Sequence, residues 1–161
     1  CVGWACVCDL RGRSSVVDGV SFFKRMRNLL PEGLSPVRSI LFDKTANSNW
    51  PVPWHQDLTI AVNRKDEVDG YGPWSIKDGV VHVQPPVSLL ESMVTIRIHL
   101  DDAPASNGAL RVIPRSHRFG RLGIQEIRNW VGADERVCEC EAGDVLLMCP
   151  LSFMQKSVNS V

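Results

Sequence analysis

The residues of this chain best suited to chemistry are the histidine and the aspartate of the segment Trp54-His55-Gln56-Asp57. On an extended segment, side chains return to the same face at every second residue, so His55 and Asp57 would point the same way. An imidazole and a carboxylate on one face can hold a metal ion between them. A 2-His-1-carboxylate set binds iron(II) on one side and leaves the other side open. A surface histidine beside a surface aspartate is the alternative interpretation of so short a motif.

A second candidate face lies on the segment 93–100, where residue types alternate. One side carries Val94, Ile96, Ile98 and Leu100, and the other carries Thr95, Arg97 and His99. This alternation predicts a strand with one face in the core and the other available to line a site. The guanidinium of Arg97 can bind a carboxylate through two parallel hydrogen bonds. The alternative is that Arg97 lies on a solvated strand face.

The elements that position these residues are mostly short strands separated by turns. Apolar, β-favouring runs predict strands over 37–42, 58–62, 93–100 and 109–113, and a strand pair over 136–148 that turns at Gly143-Asp144. Helical spacing predicts helices over 18–30 and 123–131, and Ser88 with Glu91 has the spacing of a capping box. The charged, glycine-rich segment 66–79 is expected to cross the surface as a candidate lid. The fold class that follows is mainly β, a sandwich or jelly roll.

Length and charge limit the classes of partner. The chain has 161 residues, the size of a single domain over residues 1–161, and its 18 basic and 18 acidic residues cancel. We therefore expect no nucleic acid and no membrane surface as partner, but a small molecule chosen by a pocket. No stretch approaches the roughly 20 apolar residues of a spanning helix, so the default expectation is a cytoplasmic protein. The oligomeric state is not determined by these features.

The six cysteines are expected to be reduced thiols, because the chain has enough apolar residues to form a core without disulfides. Cys6 and Cys8 together with Cys138 and Cys140 form an alternative four-thiolate zinc site. Strand alternation explains each pair as well, and the C-x-C spacing lacks the commoner two-residue spacer.

Taken together, the motifs resemble bacterial members of the phytanoyl-CoA dioxygenase family from about residue 37 to residue 151. The resemblance is carried in order by residues 41–45, 49–57, 74–80, 82–86, 97–102 and 107–117. It implies a double-stranded β-helix (jelly roll, cupin-like) with a few flanking helices, truncated at both ends. It also implies iron(II) and 2-oxoglutarate as cofactors, and hydroxylation of a small or medium organic substrate.

The resemblance also assigns roles to residues of this chain. His55 and Asp57 would be the first two iron ligands. Residues facing the co-substrate would be Lys44, Arg97 and Ser157. The substrate pocket would include Trp54, Trp74, His82 and Gln84. For His82, a histidine hydrogen-bonded within its loop is an equally good interpretation, and His117 would be structural in a turn that resembles the family's Pro-Gly-Ser-His.

The third iron ligand is where the sequence departs from the family pattern. Relatives place a histidine after the strand that begins at Gly143-Asp144, but no histidine follows His117. The pattern of histidine, any residue, serine selects Gln155, whereas counting from Pro150 selects Met154. A glutamine oxygen is a weaker ligand than imidazole, and a thioether is soft where iron(II) prefers nitrogen and oxygen. Two alternatives stay open: a catalytically impaired homologue that binds or regulates, and a cupin-like metalloprotein that uses His82 or His99 as replacement ligand.

Overall fold

The computed structural model describes residues 2–4, 30–38, 40, 51–130, 132 and 134–156. These residues are mainly β, as the alternation predicts. The predicted helix over 18–30 lies outside them except for its last residue, and so do Cys6 and Cys8 of the alternative zinc site.

The strands of the described residues are short. In chain order they are β1 (Val2–Trp4), β2 (Leu34–Pro36), β3 (Val52–His55), β4 (Ile60–Val62), β5 (Trp74–Lys77), β6 (Val80–Val83), β7 (Thr95–Ile98), β8 (Leu110–Ile113), β9 (Arg136–Cys138), β10 (Val145–Met148) and β11 (Phe153–Lys156). The helices are α1 (Val87–Glu91) and α2 (Ile124–Arg128), with 3-10 turns at Ala105–Asn107 and Ser116–Phe119. None of the described helices has the length and apolarity to cross a membrane.

The largest sheet carries the candidate site. Its strand order is β3-β11-β8-β9, and every pair in it is antiparallel. A second sheet has the order β4-β6-β5, and β10 pairs with β7, both antiparallel. β1 and β2 form a parallel pair. His55 is therefore the last residue of an edge strand of the largest sheet.

The candidate lid over 66–79 is shorter than predicted. Its last part forms β5, which pairs with β6 through the turn Asp78-Gly79. Both turn residues have positive φ, 50° and 77°, as a type I′ hairpin turn requires, and Asp-Gly is a preferred sequence for that turn. The loop before β5, residues 63–73, is largely exposed.

Two other strand predictions are wrong in the described residues. Val37, Arg38 and Ile40, which belong to the run predicted as a strand over 37–42, are not in a strand. The segment 136–148 does form two strands, but β9 pairs with β8 and β10 with β7 rather than with each other. The local residue pattern identifies a strand, but the tertiary structure determines which other strand it pairs with.

The two predicted short helices are present, with different caps. α2 begins after Gly123, whose N–H donates to Glu126 Oε2 at 2.8 Å. α1 begins after Pro86 without a side-chain cap, and Ser88 lies inside the helix, so the capping-box interpretation of Ser88 with Glu91 is wrong.

Two buried clusters of the described core anchor the residues that flank the site segment in sequence. Leu90, Met93 and Leu151 form one, with Leu58 and Ile60 packed against it. Ile113, Ile127 and Phe153 form the other, with Trp54 packed against it. Because residues just before and just after His55 and Asp57 are anchored in different clusters, the segment between them is held at both ends.

Candidate metal site

His55 and Asp57 converge at the end of β3. His55 Nε2 lies 3.7 Å from Asp57 Oδ1, and His55 Nδ1 donates a hydrogen bond of 2.7 Å to Pro53 O. That bond fixes the ring and leaves Nε2 as the nitrogen facing the carboxylate. The side chains of His55 and Asp57 are 35% and 52% exposed, so both donors are open to a ligand from solvent. The predicted shared face of the two residues is thus realised in the structure.

A β-bulge shapes this end of the strand. His55 pairs with Met154, but Val52 pairs with Lys156, so β3 has one residue more than β11 over this stretch. The extra residue falls at Pro53-Trp54, where proline has no N–H to give to the ladder. Bulges of this kind redirect side chains beside functional sites.

The residue between the two donors anchors the segment. Gln56 is buried, and its Nε2 donates to Gly120 O at 2.8 Å and to Leu151 O at 2.7 Å. Its Oε1 accepts from Leu122 N–H at 3.0 Å. In addition, Asp57 N–H donates to Pro150 O at 2.9 Å. The backbone around His55 and Asp57 is therefore fixed from two directions. Sequence reasoning did not identify Gln56, because an isolated glutamine carries no motif.

Asp57 is a partly desolvated carboxylate beside His55 and Lys77. Desolvation raises its pKa above the ordinary value, while His55 and Lys77 act in the opposite direction. Lys77, near the end of β5, also donates to Thr59 Oγ1 at 3.2 Å. A metal cation at this carboxylate would stabilise its charged form and so oppose the rise in pKa that desolvation causes.

The strand register determines which residue faces His55 across the sheet. Met154 is the partner of His55, and directly opposite residues share a face, so the thioether lies on the side of the imidazole. Gln155 follows Met154 on β11 and pairs with Arg111 on β8, which puts its side chain on the opposite face. The register therefore puts Met154 on the same face of the sheet as His55 and Gln155 on the opposite face.

The donors present match two of the three protein ligands of a facial iron(II) site. Imidazole nitrogen and carboxylate oxygen suit iron(II), whereas the buried thioether of Met154 is a soft donor. In the part of the chain that the structure describes, no group of three or more His, Cys, Asp or Glu side chains is placed to hold a metal ion. The described residues thus fit iron(II) as a pair of donors and do not complete the triad.

The face of β7 that carries Arg97 is the second candidate site surface predicted from the sequence. Across the strand pair, Arg97 lies opposite Leu146 and Thr95 opposite Met148. His99 follows β7 and is 5% exposed. Burial lowers its pKa below the ordinary histidine value, and the nearby charges of Arg97 and Lys156 lower it further while Asp144 opposes them. The strand predicted over 93–100 is confirmed for Thr95–Ile98, but burial does not alternate along it: Ile96 is buried and Ile98 half-buried, while His99, on the face predicted to line a site, is buried.

The residues predicted to line the substrate pocket are not brought together. Trp54 is half-buried and packs against the cluster around Phe153. Trp74 lines an open, mainly apolar cleft of about 310 Å³ together with Val62, Asn63, Arg64, Asp66, Val68, Tyr71 and Val83. Gln84 is partly buried, and its backbone pairs with Gly72 and Pro73. Lys44 and Ser157 lie outside the described residues.

His82 is a structural histidine. It is 1% exposed, its Nδ1 donates to Val80 O at 3.0 Å, and its Nε2 accepts from Arg38 Nη1 at 2.6 Å. With both ring nitrogens engaged, it offers no lone pair to a metal and no free edge to a substrate, as the alternative of a hydrogen-bonded histidine expects. Cys138 and Cys140, the described half of the alternative zinc site, are free thiols whose pKa values are raised, first of all by desolvation.

Comparison with protein families matches residues 20–153 to phytanoyl-CoA dioxygenase. The matched segment contains His55, Asp57 and Arg97 and ends one residue before Met154. Searches among curated proteins and among solved structures gave no match.

Proposed function

Because the chain belongs to the phytanoyl-CoA dioxygenase family, we propose that it is an iron(II)- and 2-oxoglutarate-dependent dioxygenase that hydroxylates a small or medium organic molecule. The observation that carries the proposal is the convergence of His55 Nε2 and Asp57 Oδ1 at 3.7 Å on a backbone anchored by Gln56. In this proposal His55 and Asp57 are the two protein donors to the metal. Iron(II) with 2-oxoglutarate would supply the oxidising chemistry, and the chain would supply binding and orientation.

The proposal extends to the co-substrate and the substrate. Arg97 is proposed to bind a carboxylate of 2-oxoglutarate, and Lys44 and Ser157 are proposed as further co-substrate contacts. The apolar cleft beside Trp74 and Tyr71 suits a hydrophobic part of a substrate. β5, which carries Trp74 at its start, ends at Lys77, whose charge acts on Asp57 and whose Nζ donates to Thr59 Oγ1. A cytoplasmic location is part of the same proposal.

Met154 favours a second candidate function, a catalytically impaired homologue that binds a small molecule or regulates. The thioether takes the position across from His55, where an imidazole would complete the triad. With only two protein donors, the affinity for iron(II) would be lower than that of a complete triad.

Anaerobic titration calorimetry with iron(II), with and without 2-oxoglutarate, tests the proposal. The chain is compared with its variants His55→Ala, Met154→His and Gln155→His. We expect the unaltered chain to bind iron(II), His55→Ala to abolish binding, and Met154→His to strengthen it by about tenfold or more, since a nitrogen ligand is added. Gln155→His is the matched control, because it adds the same imidazole to the adjacent position on the opposite face.

The outcomes separate the two functions. Iron(II) binding by the unaltered chain that is lost in His55→Ala supports the dioxygenase. Binding that occurs only in Met154→His supports the impaired homologue. If Gln155→His gains affinity and Met154→His does not, the assignment of position 154 as the third ligand position is wrong.

A further inference from the structure

The charge of this chain cancels overall, but it is not evenly distributed along the sequence. No acidic residue lies between Asp102 and Glu126. Four arginines of this stretch and of α2, which follows it, are exposed: Arg115, Arg118, Arg121 and Arg128. The expectation of no membrane partner rests on the total charge, and it therefore does not cover this local excess of positive charge.

These four arginines differ from the other exposed arginines of the described residues, Arg64 and Arg136. Each of those two pairs with an aspartate at 2.8 Å. The four guanidiniums, in contrast, form no ion pair and no hydrogen bond with any residue that the structure describes. Glu126, the acidic residue of α2, accepts from Gly123 N–H instead. Four positive charges thus remain without a counter-charge in the described part of the fold.

The 3-10 turn Ser116–Phe119 and α2 contribute to one surface. The ring centroids of Phe119 and Trp130 lie 4.5 Å apart, which joins the turn to the residues just after α2. Arg115 and Arg118 are three residues apart across the turn, and side chains at that spacing in a 3-10 helix lie above one another. The positive charges of the turn and of α2 are therefore neighbours.

Two apolar side chains are exposed on the same surface. Phe119 is 49% exposed, and Ile124, the first residue of α2, is 67% exposed. Ile127 is buried in the core and anchors α2, so Ile124 is not needed for packing. Arg128 follows Ile124 by four residues and lies beside it on the helix. The arginine surface is defined as these six residues: Arg115, Arg118, Phe119, Arg121, Ile124 and Arg128.

The arginine surface lies on the other side of the site segment from the metal donors. Gln56 donates to Gly120 O and accepts from Leu122 N–H, two backbone groups next to this surface. Successive side chains of an extended segment point to opposite faces, so Gln56 points away from His55 and Asp57. A partner on the arginine surface therefore leaves both metal donors uncovered.

We propose that the arginine surface docks this chain onto an anionic lipid bilayer as a peripheral protein. The planar guanidiniums donate to lipid phosphates and carboxylates. Phe119 and Ile124 enter the boundary between headgroups and acyl chains, as apolar residues of interfacial helices do. A bilayer surface engages both the cationic and the apolar part of the arginine surface, whereas a free phosphate engages the arginines alone. The proposal does not rest on the proposed function, since neither metal donor takes part.

The experiment is co-sedimentation of the full chain with lipid vesicles. One set contains phosphatidylcholine alone, and the other contains about 30% phosphatidylserine in addition. The test variants are the double variant Arg118→Gln with Arg121→Gln, and Ile124→Ser. The matched controls are Arg136→Gln, which removes an exposed but paired arginine, and Ile76→Ser, which makes the same apolar-to-polar change at a residue 74% exposed on β5.

We expect the chain to sediment with the anionic vesicles at least about tenfold more strongly than with the neutral ones. Each arginine near an anionic bilayer strengthens binding by about fivefold, so the double variant should weaken it by about 25-fold. Ile124→Ser should weaken it by about threefold or more. Arg136→Gln and Ile76→Ser should change it by less than about twofold. Raising the salt from about 0.15 M to about 1 M should weaken binding by about tenfold or more.

Absence of sedimentation with anionic vesicles overturns the proposal, and so does unchanged affinity in the double arginine variant. Equal losses in Ile124→Ser and Ile76→Ser would also overturn it, because binding would then not depend on this surface. Soluble poly-glutamate separates a lipid from an acidic protein as the partner. Poly-glutamate binding that requires the arginines, in a chain that does not sediment with vesicles, assigns the surface to an acidic protein instead. His55→Ala should bind vesicles like the unaltered chain, which keeps this test independent of iron(II) binding.

Discussion

Gln56 is predicted to be the residue whose side chain contributes most to holding the candidate site in place. It is 7% exposed and makes three hydrogen bonds, to Gly120 O, Leu151 O and Leu122 N–H. A hydrogen bond contributes a net of about 0.5–1.5 kcal/mol, so Gln56→Ala should lower the free energy of unfolding by about 3 kcal/mol. That is a large fraction of the roughly 5–15 kcal/mol by which a domain is stable.

Equilibrium unfolding in urea measures this loss. With an m-value of about 2 kcal/mol/M, a loss of about 3 kcal/mol moves the midpoint by about 1.5 M. Gln125→Ala is the matched control: Gln125 is exposed on α2, and its removal should change stability by less than about 0.5 kcal/mol. A loss below about 1 kcal/mol for Gln56→Ala would refute the reasoning, because the three bonds would then contribute nothing beyond what water supplies.

Three further predictions concern the ionisable side chains of Asp57 and His99 and the backbone conformation of Arg115. Asp57→Asn should stabilise the metal-free chain at neutral pH, since the raised pKa of Asp57 means that its charged form is disfavoured in the fold. Urea unfolding of both proteins across pH measures the gain in free energy of unfolding, which should shrink as the pH falls through the raised pKa of Asp57 toward 3.8. An Asp57→Asn variant that is less stable than the unaltered chain at neutral pH would contradict this prediction. His99 should make the chain less stable in acid, because its pKa in the folded protein lies below the value of 6.5 in the unfolded chain. Well above pH 6.5 the imidazole is neutral in both the folded and the unfolded protein, so it does not affect stability there. As the pH falls below 6.5, the unfolded chain takes up a proton before the folded protein does, and the free energy of unfolding decreases. Unfolding at about pH 7.5 and about pH 5.5 should therefore show a smaller acid loss in His99→Gln than in the unaltered chain. Arg115→Gly should raise the free energy of unfolding by about 0.5–1 kcal/mol, because Arg115 has φ of 65°, a left-handed conformation that costs a side chain more than it costs glycine. A lower melting temperature for this variant would show that the arginine side chain makes compensating contacts.

The sequence by itself determined the class of fold and the first two donors. Alternation over 93–100 fixes a strand because side chains on a strand must repeat every second residue, and β7 occupies Thr95–Ile98. The same rule put His55 and Asp57 on one side. The Asp78-Gly79 pair was also a usable signal, since both residues tolerate positive φ, and it would have identified the β5-β6 hairpin within the predicted loop.

The tertiary structure alone decided which residue stands across from His55. Counting along the chain leaves Gln155 and Met154 as alternatives, because a one-residue change of register moves every side chain to the other face. Only the pairing of β11 with β3 and β8 selects Met154. The anchoring of Gln56 to Gly120 and Leu151 is likewise invisible in sequence, since it joins residues 64 and 95 positions apart. Long-range pairing depends on the packing of the whole domain, and local residue pattern carries no record of it.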